Sequence, residues 1–173
     1  MRIVAGQWRG RRIAAPPGSA VRPTLDRVRE AWMSILQREI PNARVLDLFA
    51  GSGALGLECL SRGAKSADFV ENDPRVLKTL SANIETLGAT AMAALHRMDA
   101  VKFAQKLDAG AFDLAFADPP YAGEAAQRLA EVWLAKPFSS ILSVEHDSRT
   151  RLAGAHDTRR YGTSAITFFR SGE

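Results

Sequence analysis

Val45-Leu46-Asp47-Leu48-Phe49-Ala50-Gly51-Ser52-Gly53-Ala54-Leu55-Gly56 is the stretch that decides the fold. An apolar run leads straight into a turn whose glycines at 51, 53 and 56 match G-x-G-x-x-G, and a helical pattern follows. Glycine lets backbone approach a ligand closely, and the start of the next helix offers free N–H groups. The same glycines serve nicotinamide dinucleotides, so on their own they leave the ligand open. Glu71, twenty residues past Gly51 at the end of the next strand, is placed to accept from ribose hydroxyls in either case.

Outward from this motif, short apolar runs alternate with helical patterns, which predicts β-α-β units around a mostly parallel sheet. Strands are expected near 44–49, 67–71, 92–97, 112–117 and 140–145, and helices near 54–62, 74–87, 99–107 and 123–134. Asp73 followed by Pro74 marks a helix start. The runs 156–161 and 163–169 are separated only by Gly162, too close for a crossover helix, so they predict a C-terminal antiparallel β-hairpin. Upstream, residues 2–5 and 11–14 flank Gly6 to Gly10 as a hairpin or a bent pair of strands, and Ala15-Pro16-Pro17-Gly18-Ser19 reads as a loop. Thr24 is the expected N-cap of a helix over 25–39 that ends at Pro41-Asn42. Val28, Trp32, Ile35 and Leu36 would dock that helix on the body, leaving Asp26, Arg29, Glu30 and Gln37 in solvent.

The chain has 173 residues, 46% apolar and 24% charged, which is the profile of one globular domain and excludes disorder. A single cysteine, Cys59, excludes an internal disulfide scaffold and reads as a small buried side chain. No stretch approaches the roughly 18 apolar residues a bilayer span needs, so a cytoplasmic protein with no membrane partner is expected. The net charge of +4 is unevenly placed. Residues 1–40 hold eight arginines and no lysine against Asp26, Glu30 and Glu39, a balance of +5, while the remainder balances to −1. Guanidinium forks pair with phosphate and stack on bases, so this arm, with Trp8 among its charges, points to nucleic acid; a merely solvated arm is the bland alternative. The chain thus divides into an Arg-rich extension, 1–40, and a main domain, 41–173.

Asp47 bears on the ligand left open above. A carboxylate four residues before the first glycine repels an anionic pyrophosphate and welcomes a cation bearing an ammonium and a sulfonium, the character of S-adenosylmethionine. Asp47 could instead serve only to bond the turn's backbone amides. A second motif, Asp118-Pro119-Pro120-Tyr121, ends an apolar strand at the carboxyl edge where open α/β sheets place ligands. Two prolines make a rigid loop whose carbonyls stay available as acceptors. Asp118 and the Pro119 carbonyl can hold an exocyclic NH2 group, and Tyr121 offers a stacking face. That suits methylation of an amine on an aromatic base; a rigid β-α turn is the structural alternative. His96, His146 and His156 lack metal-ligand spacing, so no metal is expected. Trp32 and Trp133 read as packing.

These motifs, with Gly6-Gln7-Trp8-Arg9-Gly10-Arg11-Arg12 and Arg22-Pro23-Thr24-Leu25-Asp26-Arg27-Val28-Arg29-Glu30, resemble the RsmD-type 16S ribosomal RNA guanine-N2 methyltransferases over essentially the whole chain. The resemblance implies a Rossmann-like class I methyltransferase fold, S-adenosylmethionine as cofactor, and action as a monomer on 16S ribosomal RNA, free or within an assembling small subunit. By the same resemblance Asp47, Phe49, Gly51 and Gly53 would contact the cofactor, Glu71 its ribose, and Asp99 its adenine, unless Asp99 is simply a helix N-cap. Asp118, Pro119, Pro120 and Tyr121 would form the catalytic loop. Arg9, Arg11 and Arg12 would meet RNA phosphate, with Arg22 and Thr24 bordering the pocket. The pattern departs after Tyr121, where little room remains for a helix between 146 and 156. Rival readings are adenine-N6 methylation of DNA or RNA, and a non-catalytic RNA-binding assembly factor.

Overall fold

The computed structural model describes residues 1–18 and 23–172. Seven strands form one sheet: β1 (Arg44–Leu48), β2 (Ser66–Val70), β3 (Ala93–His96), β4 (Phe112–Ala117), β5 (Ser139–Asp147), β6 (Asp157–Tyr161) and β7 (Ser164–Arg170). Their order is β3-β2-β1-β4-β5-β7-β6, with the first five parallel and β7 antiparallel to both its neighbours. The helices are α1 (Pro23–Ile35), α2 (Ala54–Ser61), α3 (Pro74–Thr86), α4 (Ala100–Gln105) and α5 (Ala125–Ala135). Strand residues alternate between two cores, as side chains on a pleated sheet must. Val45, Phe69 and Phe116 pack with α1, α2 and α3; Leu46, Val70 and Ala117 pack with α4 and α5. The result is the expected three-layer α/β fold with its terminal hairpin. No helix among the described residues is long and apolar enough to cross a membrane.

Three local expectations are corrected. α1 starts at Pro23, so Thr24 lies within its first turn; proline suits that turn because its missing N–H would have had no helical partner anyway. α1 also ends four residues early, at Ile35. Leu36 and Ile40 are both fully buried, and the turn between them is what brings both to the core. Finally, Arg29 is not in solvent: its side chain is only 11% exposed. It stands one turn before Trp32, beside the docking face, and a second surface closes over that side of α1.

That surface is the N-terminal segment. It forms the expected antiparallel bend as a single Arg2↔Arg12 bridge and lies against α2, with Ile3, Trp8 and Ile13 buried in the same core as α1 to α3. Gly6 sits at φ +86°, and a Cβ there would stand 1.9 Å from the Ser61 carbonyl oxygen, so only glycine permits the contact. Glu58, 1% exposed on α2, accepts from the backbone N–H groups of Val4 (2.8 Å) and Ala5 (3.1 Å) and pairs with Arg62 at 2.9 Å. Trp8 is therefore a packing residue and no base-stacking face, which corrects its reading as part of a nucleic-acid contact.

Candidate active site

Strand order reverses between β1 and β4, and an open α/β sheet leaves a crevice at the carboxyl ends of such a pair. A cavity of about 230 Å³ lies there, well over ten times the space one water needs. Asp47, Gly51 and Ser52 line it from the β1 side, Asp118 and Glu145 from the ends of β4 and β5, and Asp26, Arg29 and Trp32 from α1. Met1 also reaches its wall. Asp26, Asp47, Asp118 and Glu145 line it together with Arg29, and a bound cation would draw these carboxyl groups toward their charged form.

The glycine-rich loop is built by three different demands. Phe49 turns the chain out of β1 at φ +58°, a left-handed conformation unusual for a non-glycine residue. Gly51, at φ +56°, has nothing within 4 Å of where a Cβ would stand, which is the open approach a ligand requires. Gly53 and Gly56 answer to packing instead. A Cβ on Gly53 would lie 2.3 Å from Leu80 Cδ1, and one on Gly56 would lie 2.4 Å from the Phe69 ring. Asp47, 1% exposed, accepts from Gly56 N–H at 2.9 Å while it also lines the cavity, so the structural and ligand-facing readings of this residue coexist. Burial pushes its carboxyl well above the ordinary range, the Gly56 bond works against this, and Asp118 and Glu71 add to it.

Opposite stands the Asp118-Pro119-Pro120-Tyr121 loop. The pairing of Ala117 with Val144 sets Asp118 beside Glu145 at the ends of adjacent strands. Asp118 opens onto the cavity but is closely surrounded by protein; that burial, followed by the charge and hydrogen bonding of Glu145, pushes its carboxyl up to about 8. Glu145 is 5% exposed and accepts from the Tyr121 hydroxyl at 3.0 Å. Tyr121 also bonds Ser164 on β7, and burial chiefly raises its hydroxyl to about 12. The Trp32 indole donates to Ser143 on β5 at 2.7 Å and packs on Phe116, fixing α1 over the same crevice.

The cavity thus brings together Asp47, Phe49, Gly51 and Asp118 from the expected set. Tyr121 borders it through Glu145, and Pro119 is buried while Pro120 is exposed. Gly53, Glu71 and Asp99 are not on its wall. Glu71 braces two loops, accepting from Gly51 N–H (3.1 Å) and Asp73 N–H (2.9 Å). Asp99 is exposed and caps α4, accepting from Lys102 N–H at 2.9 Å. Arg9 and Arg12 are exposed, as is Arg11, whose Nη2 donates to the Thr86 carbonyl at 2.6 Å. Arg22 lies outside the described residues. Glu145 and Arg29 are the site residues that sequence reasoning missed. A glutamate within the strand pattern Ile141-Leu142-Ser143-Val144-Glu145 was the available signal for the first.

The profile of a family described as "Conserved hypothetical protein 95" matches residues 1–170. The protein of Escherichia coli (strain K12) named ribosomal RNA small subunit methyltransferase D is 45% identical over 122 residues, covering 70% of this chain and 60% of that protein. The match therefore spans less than two thirds of that relative's length. The solved structure of yhhF from Escherichia coli superposes with a TM-score of 0.84 at 34% identity, covering 98% of this chain and 97% of that one. The Thermus thermophilus 16S rRNA N2 G1207 methyltransferase RsmC, solved with AdoMet and guanosine, gives a TM-score of 0.67 at 23% identity over 89% of this chain and 44% of that one. At that identity the likeness is one of fold.

Proposed function

The chain belongs to the family described as Conserved hypothetical protein 95, and from that premise we propose that it transfers a methyl group from S-adenosylmethionine to the exocyclic N2 of a guanine in 16S ribosomal RNA. One observation carries the reading: a rigid Asp-Pro-Pro-Tyr loop faces an acidic cavity across the point where strand order reverses. The residues present fit the cofactor. The cavity's carboxyl groups complement its ammonium and sulfonium, and the bare Gly51 leaves room for its approach. Asp47 and Gly51 would hold the methionine portion. Glu71, at the foot of the loop, would meet the ribose through oxygens already oriented by Gly51 and Asp73, and Asp99 would stand beside the adenine.

When bound, the cofactor supplies a methyl carbon made electrophilic by its sulfonium. The chain's own residues orient the acceptor. Asp118 and the Pro119 carbonyl take the two amine hydrogens, aiming the N2 lone pair at the methyl carbon, and Tyr121 gives the base a face to lie on. No strong base is needed, because the nitrogen forms its bond first and sheds a proton afterwards to the Asp118–Glu145 carboxyl pair. Positioning of this kind accounts for much of the rate. The exposed Arg9, Arg11 and Arg12, with Arg22, would bind RNA phosphate, and Thr24 would border the pocket. The enzyme would act in the cytoplasm, where its RNA substrate is made and assembled.

The test incubates the protein with labelled S-adenosylmethionine and either free 16S RNA or partly assembled small subunits, followed by nucleoside analysis. N2-methylguanosine is expected, and Asp118→Ala should abolish its formation while calorimetry shows cofactor affinity nearly unchanged. N6-methyladenosine in its place would favour the adenine reading. A protein that binds RNA but not the cofactor would be an assembly factor.

A further inference from the structure

Glu145 is 5% exposed and lines the cavity beside Asp118, and the methyl-transfer reading uses it only as a shared late proton acceptor. We infer that Glu145 selects guanine: its carboxylate accepts the N1–H of the target base while Asp118, one strand away, accepts the neighbouring amine N–H. The inference rests on the proposed methyl transfer to guanine N2 and names the residue that makes the site choose that base.

The argument begins with hydrogen-bond inventory. The Watson–Crick edge of guanine presents two adjacent donors, N1–H and N2–H2, whereas adenine presents one donor, N6–H2, beside an acceptor, N1. Asp118 and Glu145, which follow the paired residues Ala117 and Val144 on neighbouring parallel strands, both line the cavity and present two acceptors side by side. The state of those groups decides whether they can also donate. Tyr121 donates its hydroxyl to Glu145 Oε1, which marks Glu145 as the acceptor member of the pair. A base with an acceptor at N1, as adenine has, would meet the accepting oxygen of Glu145 lone pair to lone pair. Ser164 holds Tyr121 from the far side, and Glu145 is anchored in the centre of the β5–β7 ladder opposite Ile166, so the acceptor cannot swing away. Sites built around such a bond reject analogues that lack it strongly, because the buried partner is left unpaired.

The experiment compares guanine with 2-aminopurine at the acceptor position of a small-subunit RNA fragment, that position having first been located by mass mapping of nuclease fragments of the methylated RNA. 2-Aminopurine keeps the exocyclic 2-amine but carries an acceptor at N1. The wild-type enzyme should favour guanine in kcat/KM by about 100-fold or more. Glu145→Gln, whose carboxamide can donate to N1, should reduce that preference at least about tenfold through poorer use of guanine and better use of 2-aminopurine. Glu145→Asp, an acceptor still, should retain a preference for guanine. The ratio of the two substrates is unaffected by any fraction of misfolded variant. A Glu145→Gln enzyme with the wild-type ratio, or a wild-type enzyme indifferent to the two bases, overturns the role of Glu145 alone. If the wild-type enzyme methylates no guanine amine, the proposed function falls first and this inference with it.

Discussion

Glu58→Ala should release the N-terminal segment from the body without unfolding the sheet. The docking of residues 1–14 is close to balance. Burying Ile3, Trp8 and Ile13 contributes about 2 kcal/mol each. The N–H groups of Val4, Ala5, Gln7, Trp8 and Ala14 donate to Glu58, Ser61 and Asn83, at about 1 kcal/mol each. The carbonyls of Arg2, Ala5 and Ala14 accept from Arg29, Ser61 and Asn83, adding about 3 kcal/mol, so the gross gain is about 14 kcal/mol, while ordering roughly a dozen backbone residues costs about 1 kcal/mol apiece, or about 12. Glu58→Ala removes two of those bonds and the partner of the partly buried Arg62, about 3 kcal/mol in all. The equilibrium constant for segment opening should then rise about 100-fold. Hydrogen exchange at Val4, Ala5, Gln7 and Trp8 should accelerate by that factor, with Trp8 emission shifting to the red, while amides of β1 and β4 keep their protection. RNA affinity should fall in parallel, since Arg9, Arg11 and Arg12 would lose their fixed position. Unchanged protection at Gln7 and Trp8 would refute the docking account, and uniform loss across the sheet would refute the claim that the segment opens by itself.

Replacing Arg9, Arg11 and Arg12 together by alanine should weaken RNA binding and flatten its log–log salt dependence by about 2 units, read from binding isotherms across a salt series; an unchanged slope would assign the arm another task. Gly53→Ala should destabilise the fold by about 2–5 kcal/mol in urea denaturation, from left-handed strain plus the clash with Leu80. Gly51→Ala, with open space around it, should cost only about 1–2 kcal/mol of stability yet clearly reduce S-adenosylmethionine affinity by calorimetry. The Asp118 carboxyl is raised to about 8 in the fold, so its contribution to stability is complete below its ordinary value near 4 and is lost as pH rises through 8. The melting temperature of Asp118→Asn relative to wild type should accordingly climb between pH 4 and 8 and then level off; a constant difference would mean that the shift is absent.

Much of this architecture was legible because it is written in local signals. The glycines of the first loop, Asp73-Pro74 at the start of α3 and Gly162 in the terminal hairpin each act through backbone geometry that neighbouring residues alone impose. The Asp118 motif was legible for the same reason. Arg29 and Trp8 were misread because their environment comes from distant chain. Nothing near Trp8 reveals that Glu58, fifty residues away, will bond the adjoining backbone and draw the tryptophan inward. Arg29 falls among the polar residues of α1 in sequence, yet the Arg2 carbonyl accepts from it at 3.1 Å and it lines the cavity beside Trp32. Glu145 hid in an alternation, Ser143-Glu145-Asp147, that reads as a solvent face; the face is polar because a cavity and Tyr121 stand over it.

The two misread residues also join what composition had separated. Charge counting suggested a basic arm attached to a near-neutral body. In the fold, Arg29 bonds the arm at Met1 and Arg2 while lining the cavity, and Met1 itself forms part of the cavity wall. Arg29 Nε is buried and has no hydrogen-bond partner among the described residues, which leaves this junction short of its best electrostatic state. A junction of this kind is costly in an isolated fold and useful in a binding one. Whatever anchors the arm on RNA also acts on the wall of the cavity, and whatever fills the cavity acts on the seat of the arm. Coupling between the two events is then a consequence of one shared guanidinium, and by linkage it must be reciprocal. Cofactor should tighten RNA binding by the same factor as RNA tightens cofactor binding, and in Glu58→Ala, where the arm is loosened from its seat, that factor should shrink toward one.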